Sequence, residues 1–511
     1  MITGMRIAVA MVVVMLAGLG LPSAAQAQDD VIIKQYDDGS VYEGTFRDGL
    51  QHGTGSYSLP NGYKYVGEWV AGEIRGKGTA RFPNGSVYEG LFAGGKPEGK
   101  GKITFADGGS YDGDWVAGQM TGTGTISYAD GSDYAGQVKG GVHEGQGKLT
   151  NPGGTAYEGA WVAGVKDGKG RISYADGTVY DGDLAAGQRS GQGTLTLPDG
   201  MTYAGAWSNG QMNGMGKLTL PGGNVYEGEF VEGKRQGKGK MTYADGGIYE
   251  GDFVADKRDG SGTFRARTGF GYEGDWVAGR MEGTGQISYP GGTVYFGSVT
   301  DGQAHGNGKI IHADGAGYEG QWKIGVIEGE GKATYAGGIS YEGGFVASQP
   351  EGRGVMSYAD GQKYDGQWRS GKRHGAGVAS YADGSIYTGS FVDGAREGEG
   401  QIKMPDGFSY VGTWKSGEID GQGVATYPTG DVYEGEFSVG KRQGTGALRY
   451  ASGEVAEGVW ESGVLKAPAP AAAAAPAAGA GAGAASALPA AADTAPADPA
   501  PPAEADAGAL P

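Results

Sequence analysis

The sequence has no cysteine, which excludes disulfide frameworks, thiolate metal sites, nucleophilic thiols and lipidated cysteines. Positive charge is in deficit, with 41 Lys and Arg against 59 Asp and Glu and a formal net charge of -18. Nucleic acid is therefore not an expected partner, because phosphate backbones reward clustered cations through counterion release. Long apolar runs are almost absent. The exception is Ile7 to Leu21, which follows Arg6 and is shorter than the roughly 20 residues a membrane-spanning helix needs. Pro22 and the small-residue stretch Ala25-Gln26-Ala27 come next, so residues 1–27 read as a cleavable secretory signal. Cleavage would leave Gln28 first, with 28–30 as a short leader and a periplasmic or secreted location.

What the chain has in excess is glycine, 109 of 511 residues, about three times ordinary usage. These glycines are periodic. A tyrosine stands at position 42 and at every twenty-third residue through Tyr433, without insertion or deletion. Counting from each tyrosine, Gly follows at +2, +11, +13 and +20, and at +7 except where Asp256 and Ser348 stand. A period this short marks a repeat architecture. Within a copy, Tyr226-Glu227-Gly228-Glu229-Phe230 and Lys240-Met241-Thr242-Tyr243 alternate with a period of two, as strands do. Val231 to Gly237 reads as a polar connection between them, and Ala244-Asp245-Gly246 as a turn. Each copy is thus a β-hairpin, and helix is disfavoured because each interior glycine costs it about 1 kcal/mol. The predicted fold is all-β: an elongated single-layer antiparallel sheet of about 18 tandem hairpins over residues 31–466, with half-repeats at both ends. From residue 467 the composition turns to Ala and Pro, with four acids and no base to residue 511, a pattern that predicts a disordered tail.

Alternation places position 0, Gly at +2 and the residue at +4 on one strand face. Position +4 carries all nine tryptophans of the chain. The predicted structural row includes Tyr65 and Trp69, Tyr111 and Trp115, Tyr157 and Trp161, Tyr203 and Trp207, Tyr272 and Trp276, Tyr318 and Trp322, Tyr364 and Trp368, and Tyr410 and Trp414. Gly at +2 is expected to leave a gap in which a ring from a neighbouring strand lies flat. Since one layer cannot bury both faces, curvature, self-association or a partner should cover part of this row. The least regular copy, with Asp256 at +7 and Arg265-Ala266-Arg267-Thr268 after it, predicts a bend or weak point within residues 208–275.

The pattern Tyr-Glu-Gly-x-Trp/Phe-x-x-Gly-x-x-x-Gly-x-Gly, as in Tyr226 to Gly239, closely resembles the MORN repeat. That resemblance implies extended sheets of successive hairpins used for scaffolding, dimerisation and sometimes membrane association, with structural rather than catalytic consensus positions. The residues themselves offer no catalytic, cofactor or metal site. The five histidines form no ligand cluster of the three or four groups a metal needs. Gly94 to Lys100 imitates a phosphate loop but has Gly101 where Ser or Thr should follow. Carboxylates at +1, such as Glu43, Asp112 and Glu227, recur without a catalytic partner. Lys234-Arg235, Lys257-Arg258, Lys372-Arg373 and Lys441-Arg442, read as hairpin-loop pairs, are candidate contacts to phospholipid headgroups or acidic proteins. Three readings follow: a non-enzymatic scaffold binding protein partners or itself, homodimer included; a phospholipid or envelope-surface binder; and a polysaccharide binder using the aromatic row.

Overall fold

The structure, a computed structural model, describes residues 30–468, so the expected signal segment and all but the start of the Ala/Pro tail lie outside the described residues. Every described element is a strand, from β1 (Ile32–Gln35) to β39 (Val464–Pro468). The chain divides into two compact units, Met1–Pro198 and Asp199–Pro511. The first holds β1 to β15 (Gln188–Thr196) and the second β16 (Thr202–Ser208) to β39. Within each unit, strands pair antiparallel with their chain neighbours, as in β2 (Val41–Arg47) with β3 (Leu50–Ser58) and β18 (Val225–Val231) with β19 (Lys234–Thr242). The expected all-β array of tandem hairpins is what the chain forms.

The hairpin is tighter than its sequence suggested. The connection expected over Val231 to Gly237 is a two-residue turn, Glu232-Gly233, with φ of 50° and 82°. Left-handed values at both central positions give the turn whose twist matches that of paired strands. Lys234 to Gly237 therefore belong to β19, and the extra length is taken up by a bulge where the register shifts after Gly228. Gly237, at φ 62°, supplies the left-handed residue such a bulge uses. At the other end of the hairpin, Gly246 donates its N–H to the Tyr243 carbonyl at 2.9 Å, and the Asp245 carboxylate accepts the Gly247 N–H at 2.8 Å.

Neighbouring copies are also tied at their turns. The carboxylate at +10 accepts the backbone N–H of the first turn residue in the next copy: Glu98 from Ala117 at 2.7 Å, Glu144 from Ala163 at 2.9 Å, Glu397 from Ser416 at 2.8 Å. That turn residue always has positive φ where it is not glycine, and in two copies it is β-branched: Ile324 at 48° and Val439 at 47°. A β-branched side chain crowds the backbone in this region, whereas asparagine and glycine enter it readily. Val439 is exposed, so Val439→Asn is expected to stabilise the second unit by about 1 kcal/mol, read as a later denaturant midpoint.

The irregular copy shows no break in pairing, since β20 (Ile248–Val254) to β23 (Arg280–Ser288) keep the regular register. Asp256 takes the left-handed turn position at φ 72°. Its carboxylate accepts from the Arg235 backbone N–H at 3.0 Å and Nε at 3.1 Å, a local contact that offsets the strain of a non-glycine residue there.

Candidate functional site

The two faces of the sheet are built differently. On the ring-bearing face, a repeat tyrosine lies between the +4 side chains of its own copy and the next, and these are rings except at Val138, Leu184 and Val299. Tyr364 meets Trp368 at 5.2 Å and Phe391 at 5.0 Å, with ring planes 85° and 82° apart. Tyr387 continues the series to Phe391 at 5.1 Å and Trp414 at 5.1 Å. Edge-to-face pairs of this kind add about 0.5–1.5 kcal/mol each beyond burial of their area. In this stretch their polar tips are satisfied. The Tyr364 hydroxyl donates to the Gln367 carbonyl at 2.9 Å, and Trp368 Nε1–H donates to the Gly354 carbonyl of the preceding copy at 3.1 Å.

This row needs no partner to cover it. Tyr65, Tyr111, Tyr203 and Tyr410 are 0% exposed, and Trp69, Trp115, Trp276 and Trp414 between 2% and 5%. The rings lie down rather than standing up, and the gap at Gly +2 is filled by the copy's own tyrosine, not by a ring from a neighbouring strand. That ring crosses the +2 glycine and the +13 glycine paired opposite it, as Tyr272 does over Gly274 and Gly285. No ring face of the row is left open for stacking on a sugar.

Position +9, absent from the predicted row, completes this face. It stands opposite the +4 ring, as Arg235 opposite Phe230, Met281 opposite Trp276 and Arg373 opposite Trp368. Arginine guanidinium groups there lie over rings: Arg258 at 4.0 Å from the Trp276 centroid, Arg396 at 4.4 Å from Trp414 and Arg442 at 4.6 Å from Trp460. Each also donates to a turn carbonyl of the next copy, Arg258 to Gly279 at 2.8 Å and Arg442 to Gly463 at 3.0 Å. The sequence hid this position because it varies among Arg, Lys, Met, Ile, Pro, Gln, His and Ala.

The Lys-Arg pairs expected in loops are consequently split. Lys234, Lys257, Lys372 and Lys441 are the first residues of their strands and lie on the outer face, paired with Val231, Val254, Arg369 and Ser438. Arg235, Arg258, Arg373 and Arg442 turn to the ring-bearing face, and Arg373 is 7% exposed. Strand alternation separates adjacent residues that a loop would have left side by side.

The outer face is open and charged. The +1 carboxylates pair across strands with lysines, Glu227 with Lys217 at 2.8 Å and Glu250 with Lys240 at 2.8 Å; the lysine contact holds each carboxyl below its usual range. Such exposed pairs add little stability. Beside them runs a row where Val231 pairs with Lys234, Val254 with Lys257 and Val277 with Arg280. These valines are exposed. His52 and His305 accept turn N–H groups through Nδ1 at 3.5 and 3.4 Å, while His143 stacks on Tyr134 at 3.7 Å and burial lowers its basicity. Among the described residues no group of three or more His, Asp or Glu is placed to hold a metal, and no helix is long and apolar enough to cross a membrane.

Burial pushes the row tyrosines up, Tyr65, Tyr88, Tyr226, Tyr249 and Tyr272 each to about 12. An unfolded tyrosine ionises near about 10. The folded state therefore keeps a proton that the unfolded chain loses. Stability from the row is complete below about pH 10 and falls as pH rises through about 12. In a pH titration, the row's share of the tyrosinate absorbance, 18 of 30 tyrosines, is expected to appear together with loss of β circular dichroism, rather than ahead of it.

A profile of the MORN repeat matches eighteen successive segments, beginning at residues 42–62 and 65–87 and ending at 410–432 and 433–455. Alsin of Rattus norvegicus is 42% identical over 52 residues, 9% of this chain and 3% of that protein. Among solved structures, the SAS-4 (dCPAP) TCP domain of Drosophila melanogaster, in complex with a proline-rich motif of Ana2, is similar over 30% of this chain and 85% of that one, at 16% identity and a TM-score of 0.21. The TCP10 domain of Danio rerio CPAP, with a peptide of STIL, is similar over 54% and 100% of the two chains, at 17% identity and a TM-score of 0.20.

Proposed function

The chain belongs to the MORN-repeat family, and from that premise we propose that it is a non-enzymatic extracytoplasmic scaffold whose outer sheet face receives protein partners. The observation that carries this reading is the division of labour between faces. The ring-bearing face is consumed by its own packing, while the outer face presents exposed valines alternating with cations at Val231, Lys234, Val254, Lys257, Val277 and Arg280. Apolar side chains ringed by charge suit protein recognition. Its test is affinity capture from the cell envelope with the mature array, comparing the wild type with a Lys234→Glu, Lys257→Glu, Arg280→Glu variant and a tail-deleted control. Proteins retained by wild type and lost from the triple variant support the reading. A monomer by light scattering that retains nothing sinks it.

The same cations favour a second reading, contact with anionic phospholipid, since each Lys or Arg near such a surface contributes about 1 kcal/mol. Vesicles containing phosphatidylserine should then float the chain at low salt and release it at high salt, and flotation insensitive to lipid charge rules this out. Export through cleavage after Ala27 is part of the proposal, with a mature N-terminus at Gln28 as the expected sequencing result.

A further inference from the structure

The first strand of the array is an apolar edge. Among the described residues β1 pairs with β2 alone, and Val31, Ile32 and Ile33 are 65%, 49% and 69% exposed. Its register runs from Ile32 opposite Gly44 to Gln35 opposite Val41, and Tyr36 N–H continues it by donating to the Ser40 carbonyl at 2.9 Å. Residues an even number away from Tyr36 therefore turn their backbone groups toward β2. Val31, Ile33 and Gln35 turn theirs to the open edge. An open edge with exposed β-branched residues is a template for another strand. The opposite end of the array is blunted, because β39 carries Lys466 and ends in Pro468, residues that discourage strand addition.

We propose that β1 is a homodimerisation strand, two copies of this chain joining edge to edge by antiparallel pairing of residues 30–34 about a two-fold axis at Ile32. This deepens the scaffold reading and rests on it, naming a second copy as one partner. The segment Asp30-Val31-Ile32-Ile33-Lys34 is self-complementary in that register. Asp30 faces Lys34 of the second copy, Val31 faces Ile33, and Ile32 faces its own counterpart. The backbone agrees with the side chains: Val31 and Ile33, whose N–H and C=O groups point outward, stand opposite each other and exchange both hydrogen bonds. Centring the axis on Lys34 instead sets lysine against lysine, which opposes pairing. Five residues a side bury far less than the roughly 1,200 Å² of a stable interface, so the dimer is weak and concentration dependent.

The absence of cysteine makes the test direct. In the full chain, Ile32→Cys places two thiols across a non-hydrogen-bonded pair, where Cα atoms are about 4.5 Å apart, within reach of a disulfide. Val464→Cys, on the exposed start of β39, is the control. Ile32→Cys is expected to form covalent dimer at least about tenfold faster than Val464→Cys under mild oxidation, a difference of about 1.4 kcal/mol in barrier. Sedimentation of the wild type should show a monomer–dimer equilibrium that Ile33→Pro abolishes. That substitution removes an outward N–H and no bond to β2, so circular dichroism should be unchanged. Equal crosslinking at the two sites, a wild type that stays monomeric at every concentration, or a dimer that survives Ile33→Pro overturns the proposal. The scaffold reading is decided separately, by what the outer-face triple variant loses in envelope capture.

Discussion

Gly285→Ala is expected to cost about 3 kcal/mol, the upper end of what overpacking one methyl group costs, although the residue is an ordinary extended glycine within a strand. Gly285 pairs with Gly274 across β22 (Gly271–Val277) and β23. The Tyr272 ring lies over both, and a methyl group on Gly285 would stand 2.5 Å from Tyr272 Cε2 and 2.7 Å from Cζ. The ring has nowhere to retreat, being held between neighbours with Trp276 at 5.3 Å and its hydroxyl on the Asp275 carbonyl at 2.8 Å. Gly279 is the comparison. It has φ 94° and nothing within 4 Å of its missing methyl, so Gly279→Ala should cost only the left-handed backbone penalty, about 1–2 kcal/mol. Tyr272→Ala alone should cost about 3–5 kcal/mol. Adding Gly285→Ala to it should add little, because the clash leaves with the ring. Repeat arrays lose cooperativity on unfolding, so amide exchange in β22 and β23 is the measurement to make. Full additivity of the two substitutions would show that the ring does not dictate the glycine.

The same tyrosine–glycine geometry shows how far the sequence could be read. Period and alternation were sufficient for the array, its hairpins and the face that carries the rings, because each depends on residue spacing alone. They were insufficient for the turn. Val231 to Gly237 looks like a loop since it is polar and holds two glycines, but one glycine closes a two-residue turn and the other sits in a bulge inside the next strand. A bulge adds a residue without altering composition, so only the register reveals it. The burial of the row was equally hidden. Whether a ring stands away from a sheet or lies along it depends on what the opposite strand offers, and the pairing of +2 with +13 glycines is a fact of register, not of spacing within one strand. The outer-face row at Val231, Lys234, Val254 and Lys257 was half visible, its lysines noticed but grouped with the wrong neighbours.

The face a +9 residue takes matters most at Arg396, where it decides the energetics. Arg396 begins as a polar residue one place into β33 (Ala395–Lys403), and a solvated side chain there would be replaceable at almost no cost. It is instead 2% exposed. Its guanidinium lies 4.4 Å from the Trp414 ring and 5.7 Å from Tyr387, and Nη2 donates to the Gly417 carbonyl at 2.8 Å. One side chain thus joins the rings of two copies to the turn of the second. A desolvated cation–π contact contributes about 2 kcal/mol and a charged hydrogen bond about 1.5–3 kcal/mol; these overlap, and Arg396→Ala also leaves a void. The expected loss is about 3–4 kcal/mol, seen as faster amide exchange in β34 (Ser409–Lys415) and a lower denaturant midpoint. Arg396→Met should lose only about 1–2 kcal/mol, because methionine fills the space as Met281 does opposite Trp276, and surrenders only the charge and its bond to the turn. Arg396→Lys should resemble Met rather than wild type, since an ammonium cannot lie flat on the ring and reach Gly417 together. If alanine is tolerated as well as methionine, packing on this face does not depend on +9, and the copies are held by their strands and rings alone.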